Sequence, residues 1–293
     1  MLHLGSRVTA RATVALALVA SAALTGIWGL DAGQGEASHA GGMSAMSIDL
    51  NTSGNTASGL GVGHVETLGA LDSTLAVSPC DSVTLDVTGQ GVPASNPLAG
   101  FGFTLNYNSA AIDVLTSDPG FLLEATAGSV IVDLGLTYGT NKVTASAADF
   151  GDGTFETGSG VLTRVTAQVK PGAAPAVYNL ALTQAAHLDP LNAPHEPDTI
   201  NNATLTVAGS CNGDVDCSIT VNAVDALKLL RHNAGLSVSQ TEPCADVNAD
   251  IGSRLQGDVD CNGAVNAVDA LKVLRAAAGL SVTQTMPCPL IDV

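Results

Sequence analysis

Along residues 43–210 apolar and polar side chains alternate in short runs. Val83, Leu85 and Val87 form one set, Phe101, Phe103, Leu105 and Tyr107 a second, and Val161, Thr163, Val165, Ala167 and Val169 a third; Tyr178, Leu180 and Leu182 follow, then Leu205 and Val207. A period of two puts one face of each strand into a core, and the breaks are rich in Gly, Pro, Asn and Asp. The region is therefore expected to form an antiparallel β-sandwich of the jelly-roll kind. Beyond residue 211 the period changes. Val224, Leu227, Leu230 and Ala234 recur at helical spacing, as do Val268, Leu271, Leu274 and Ala278, with Asn222 and Asn266 as N-caps and Gly235 and Gly279 as stops. The expected chain is mainly β with a small α module: a leader at 1–40, a sandwich at 43–210 and a helical module at 211–293.

The two helices belong to a duplication. Asp214-Val-Asp-Cys-Ser-Ile-Thr-Val-Asn-Ala-Val-Asp225 recurs 44 positions later as Asp258-Val-Asp-Cys-Asn-Gly-Ala-Val-Asn-Ala-Val-Asp269. Oxygen-bearing side chains fall at loop positions 1, 3, 5, 9 and 12, as a twelve-residue calcium loop requires, because a hard cation wants six to eight oxygens and the last comes from the first turn of the next helix. Asp258, Asp260, Asn262, Ala264 through its carbonyl, Asn266 and Asp269 are the expected ligands of one Ca2+. Asp214, Asp216, Ser218, Thr220, Asn222 and Asp225 are those of a second. The second copy fits better, with Gly263 at the sharp turn; the first has Ser218 as a weaker ligand and Ile219 where positive φ is needed, so it is expected to bind more weakly. No helix pattern precedes either loop. Each unit is half of an EF-hand and must pack on the other.

These residues resemble the dockerin family over about 211–293. The resemblance implies a calcium-dependent module that docks on a protein carrying a cohesin domain, read by residues before the closing Asp and along the helix. Here those are Ala223, Val224, Leu230 and Arg231 in one repeat and Ala267, Val268, Leu274 and Arg275 in the other. Ala-Val stands where well-studied dockerins carry a hydroxyl pair, so the contact is expected to be apolar.

Six cysteines allow fifteen pairings. The duplication carries its cysteines with it, Cys217 to Cys244 and Cys261 to Cys288 both spanning 27 positions, which leaves Cys80 with Cys211. Such bridges imply export. Arg7 and Arg11 precede an apolar run at 12–30, and Ala37-Ser-His-Ala40 offers a cleavage site; a secretory signal is expected, although the run is also long enough to stay as an uncleaved anchor. The net charge of −17 argues against nucleic acid and anionic membranes as partners.

Leu98-Ala-Gly-Phe-Gly-Phe-Thr-Leu-Asn-Tyr107, Ala148-Asp-Phe-Gly151 and the strand 160–169 look like the cohesin domain and the carbohydrate-binding modules that share its sandwich, over about 65–210. The resemblance implies either docking to a dockerin-bearing protein or binding of polysaccharide. Sugar sites on flat sheets lean on aromatic platforms, and the one Trp, Trp28, lies in the leader, leaving Tyr138 and Phe155 as candidates for exposure. Docking is the preferred reading. Catalysis has little support: His187, Asp189, His195, Glu196 and Asp198 cluster in a Pro-rich stretch expected to be a solvated connection, and no nucleophile elbow or phosphate loop is present. The expectation is a non-catalytic secreted adaptor.

Overall fold

The computed structural model describes residues 41–57, 66–151, 154–241, 244–252, 254–285 and 288–291; the expected leader at 1–40, with its expected cleavage site, lies outside them. The strands are β1 (Ala45–Asp49), β2 (Thr56–Ala57), β3 (Glu66–Thr67), β4 (Thr74–Val77), β5 (Ser82–Val92), β6 (Gly100–Asn106), β7 (Ile112–Asp118), β8 (Ile131–Gly139), β9 (Lys142–Asp149), β10 (Gly158–Val169), β11 (Ala176–Leu188), β12 (Pro194–His195), β13 (Ile200–Asn201) and β14 (Ala203–Val207). Two helices follow, α1 (Ala223–Asn233) and α2 (Ala267–Ala277).

One sheet runs β13-β1-β5-β10-β7 and the other β4-β14-β11-β6-β9-β8, with β12 on β11. Their inner faces meet in one core, in which the alternating residues of β5, β6, β10 and β11 are buried as the period of two requires: Val83, Leu85 and Val87 face Phe101, Phe103, Leu105, Leu180 and Leu182. The expected antiparallel arrangement needs a correction. β1 pairs with β13 and β14 with β4 in parallel, because short edge segments return along the sheet after long excursions.

The outer faces differ. On the first sheet Arg164 grips Asp86 through Nε (2.8 Å) and Nη2 (2.9 Å), and Asn55 Nδ2 donates to Asp49 Oδ2 (2.7 Å) and Asp86 Oδ2 (3.0 Å). Asp49 and Asp86 are thereby buried under the segment that follows β1, and Arg164 Nη2 also reaches the Asn55 carbonyl. On the second sheet the polar residues of β6 and β9 include Thr104 and Thr144, both buried. Thr104 Oγ1 bonds both Thr144 Oγ1 and Gln184 Oε1 (3.0 Å each), and an open groove of about 530 Å³, lined by Asn106, Asn108, Asn141, Val177 and Asn179, lies at one end of the sheet.

The stretch after β11 is not a solvated connection. His187 and His195 are cross-strand neighbours with rings stacked at 5.1 Å, both buried. His187 Nε2 lies 3.0 Å from the Asn96 carbonyl and His195 Nε2 3.1 Å from Asp189 Oδ2, so each Nε2 carries its proton; both Nδ1 atoms are buried without partners. Burial holds His187 below its ordinary pKa. It is neutral when folded and protonates when unfolded, so its stabilisation is complete above about pH 6.5 and is lost as pH falls through that value toward the folded one. The stability difference between the wild type and His187→Gln, read from denaturant midpoints, should shift against the wild type between pH 7 and 5, by up to about 1.4 kcal/mol per pH unit.

The module is welded to the sandwich. Arg254, its side chain 5% exposed, pairs with Asp81 (3.3 Å) and donates to the Ser210 carbonyl (3.0 Å). Gln256 Nε2 donates to Ser210 Oγ (2.9 Å), and Ser210 Oγ to the Asp214 carbonyl. Gly252, at φ +88°, lets the backbone close on Ala76, which would sit 2.6 Å from any Cβ there. The three disulfides join Cys80 with Cys211, Cys217 with Cys244 and Cys261 with Cys288, and they fit an oxidising extracellular setting. Among the described residues no helix is long and apolar enough to cross a membrane.

Candidate functional site

Each loop folds around its own carboxylates. In the second, Asp258 accepts from the amides of Asn262 (3.1 Å) and Gly263 (2.8 Å), while Asp269, from the first turn of α2, accepts from Val259 (2.8 Å), Asp260 (3.2 Å) and Asn266 (2.8 Å). The first repeats this: Asp214 takes Ser218 (3.0 Å) and Ile219 (2.9 Å), and Asp225 takes Val215 (2.7 Å), Asp216 (3.0 Å) and Asn222 (2.8 Å). Asn222 and Asn266 cap their helices through the amides of Val224 and Val268 in full capping boxes. One aspartate thus starts the helix and closes the loop.

Asp214, Asp216 and Asp225 offer oxygens within 4.8 Å of one another, and so do Asp258, Asp260 and Asp269. Burial raises the carboxyl pKa of Asp225 and of Asp269, and pushes that of Asp214 up to about 6. Asp260 Oδ1 is buried with no partner. Three crowded anionic groups and an orphaned oxygen make an all-oxygen donor set that fits a hard divalent cation such as Ca2+. The structure brings together positions 1, 3 and 12. Ser218 Oγ turns instead to Thr220 (3.1 Å to Oγ1), Asn222 and Asn266 Nδ2 bond the carbonyls of Thr220 and Ala264 (3.2 Å each), and Asn262 Oδ1 accepts from Ala264 (3.0 Å).

Ile219 adopts φ +68° despite its branched side chain. A left-handed conformation costs an L-residue about 1–2 kcal/mol, against about 0.5–1 kcal/mol of extra chain entropy for glycine. Ile219→Gly should therefore tighten calcium binding at the first loop a few-fold in titration calorimetry.

The helical apolar pattern sorts differently from expectation. Ala226 and Leu229 of α1 pack on Ala270 and Val273 of α2, with Val215, Val221, Val247 and Val259 around them. Val224, Leu227 and Leu230, and their counterparts Val268, Leu271 and Leu274, stay exposed. Small side chains let the repeats approach closely, and the larger ones form two matching outward stripes beside the exposed Ala223 and Ala267. Arg231 and Arg275 are exposed too, but each guanidinium bonds the carbonyl of Ser237 or Ser281 in its own repeat (3.0 and 2.9 Å). Sequence reasoning missed Gln240 and Gln284. Lys228 donates to Gln240, which donates to the Val215 carbonyl (2.6 Å), and Lys272, Gln284 and Val259 repeat the relay. The duplicated Ser-Val-x-Gln-Thr after each helix was the available signal.

A family model described as "Cohesin domain" matches residues 70–222, just over half of the chain. The match ends inside the first loop, at Asn222, and leaves out β1, which nonetheless pairs with β5. No curated protein matches the chain. Solved structures similar to it include a non-cellulosomal cohesin from Archaeoglobus fulgidus (17% identity, TM-score 0.36, covering 47% of this chain and 87% of that one). Another is the sixth cohesin of scaffoldin B from Acetivibrio cellulolyticus in complex with a Cel5 dockerin mutant (16%, 0.39, 56% and 97%). A third is a type I cohesin–dockerin complex from Clostridium thermocellum (15%, 0.38, 57% and 96%). On the family match over 70–222, the chain belongs to the cohesin domain family, whose domains are non-catalytic docking modules.

Proposed function

We propose that the chain is a secreted adaptor that docks protein to protein twice over, through its sandwich and through a dockerin-like module held by two Ca2+ ions, in the service of polysaccharide breakdown. The observation that carries this reading is the duplicated carboxylate trio, with its buried, partnerless Asp260 oxygen, beneath two matching apolar helix stripes. A half EF-hand crowds three carboxylates that repel until a divalent ion neutralises them, so calcium and the module's fold are linked. The sandwich offers the polar side of β11-β6-β9-β8 to a dockerin-bearing protein, since the other sheet's outer face is covered by the Asn55 segment. Nucleic acid and membrane remain poor partners for a chain of charge −17.

Calcium titrated by calorimetry should fill two loop sites, the 258–269 loop more tightly, and Asp269→Ala should remove the tighter one; equal loop sites would overturn the ranking. A pull-down from the native secretome with and without a chelator tests the adaptor reading itself. Calcium-dependent recovery of a cohesin- or dockerin-bearing protein is expected. A second reading, direct binding of polysaccharide, draws on the uncharged, asparagine-lined groove at the end of β6 and β11; retention of the chain on insoluble glycan in the presence of chelator would favour it.

A further inference from the structure

The two loops are stapled to each other crosswise. Asn212 stands two positions before Asp214, which opens the first loop, and Gln256 stands two before Asp258, which opens the second. Both residues are 2% exposed, and each side-chain amide reaches into the other repeat. Asn212 Nδ2 donates to the Val259 carbonyl (3.0 Å), and Gln256 Nε2 lies 3.4 Å from the Val215 carbonyl while donating to Ser210 Oγ (2.9 Å). Val215 and Val259 are the second residues of the two loops. The backbone amide of each donates to the aspartate that closes its own loop, Asp225 (2.7 Å) or Asp269 (2.8 Å), and both side chains lie in the core that α1 and α2 share. One residue in each loop therefore serves both repeats.

Ordering a calcium loop costs the chain conformational freedom, and fixing Asp269 also fixes Val259, whose carbonyl holds Asn212 and with it the start of the first loop. The first loop is then ordered in part before its own ion arrives. We propose that Asn212 and Gln256 are positioning residues that couple the two calcium loops, so that filling the 258–269 loop tightens the 214–225 loop. The coupling rests on the calcium module proposed above, and it adds dependence of one site on the other to the ranking of the two. The staples can be removed without orphaning their acceptors. The Val259 carbonyl keeps Gln284 Nε2 (2.6 Å), the Val215 carbonyl keeps Gln240 Nε2 (2.6 Å), and the Pro289 carbonyl, a second acceptor for Asn212, keeps Gln284 Nε2 (3.2 Å). Asn212→Leu and Gln256→Met hold the volume and delete the donors.

The test titrates the full chain with Ca2+ by calorimetry and reads Kd of the weaker step. In the wild type the first loop fills with the second already loaded; in Asp260→Asn, which takes a carboxylate from the second loop, it fills alone, and its Kd should rise about ten-fold. The pair Asn212→Leu with Gln256→Met should raise the same Kd about ten-fold and add nothing further when combined with Asp260→Asn. A merely structural loss would weaken the first loop equally in both backgrounds. The calcium-free circular dichroism spectrum should match the wild type throughout; if the pair does not fold, Gln256→Met alone is read in the same two backgrounds. An equal Kd in wild type and Asp260→Asn, or a staple effect that persists in Asp260→Asn, would overturn the coupling and leave a module with two independent sites standing. No calcium uptake by the wild type would overturn the module and the coupling together.

Discussion

Arg254→Ala should cost about 3 kcal/mol or more and split a single unfolding transition into two. The guanidinium is almost wholly buried at the junction, where it neutralises Asp81 and satisfies the Ser210 carbonyl. Burial lowers its pKa and Asp81 works in the opposite direction. Truncating it leaves the Asp81 carboxylate, held by the Ser78 amide (2.7 Å), without its counter-charge beside a cavity. Asp81→Asn combined with Arg254→Met replaces the pair by neutral groups of similar volume, and should cost less than the sum of the single changes because the two residues share one interaction. The Cys80–Cys211 bridge persists in all of these variants, so the module stays tethered while its orientation is freed. Denaturant unfolding followed at 222 nm, where the helices dominate, and in the near-ultraviolet tyrosine band of the sandwich checks this: coincident curves for Arg254→Ala would show that the ion pair does not couple the two parts.

The weld also shows which parts of the molecule the sequence made legible. Strands β5, β6, β10 and β11 carry their burial in a period of two that any window reveals, and the loops declare themselves by repetition. The 27-residue cysteine spacing follows from the same duplication, and the structure closes its bridges over those spans. Asp81 and Arg254 are 173 positions apart and belong to no pattern; only the fold makes them neighbours. The helices fail for another reason. An apolar residue at helical spacing faces either a core or a partner, and Val224, Leu227 and Leu230 look the same in both cases, while the residues that join the repeats include the unassuming Ala226 and Ala270. The His187–His195 pair was misjudged because proline and polar residues around it imitate a solvated loop, whereas the cross-strand pairing that buries it depends on a two-residue strand too short to register.

The exposed stripes carry the last expected result, which rests on the docking role proposed for the module. Val224 is 49% exposed and Val268 48%. Each follows an alanine, precedes the closing aspartate and receives the same cap from its asparagine. The two faces are therefore chemically alike, and a partner that fits one fits the other after a half-turn of the module. Burial of the stripe would supply about 25 cal/mol per Å² before the losses of association, with no charged group on either valine to desolvate. If both orientations bind equally, Val268→Asp removes one of two equivalent modes and should weaken affinity about two-fold, near 0.4 kcal/mol. Val224→Asp together with Val268→Asp leaves no face without an unpaired charge in a desolvated contact, and binding should fall by more than about 100-fold. Both positions are solvent-exposed and neither touches the Ala226–Val273 core, so the calcium-loaded module should keep its helical signal in every variant. Surface plasmon resonance against the protein recovered in the chelator-controlled pull-down reads the difference directly: a single change as damaging as the pair would mean that one helix alone docks, and a double change without effect would place the contact elsewhere on the module.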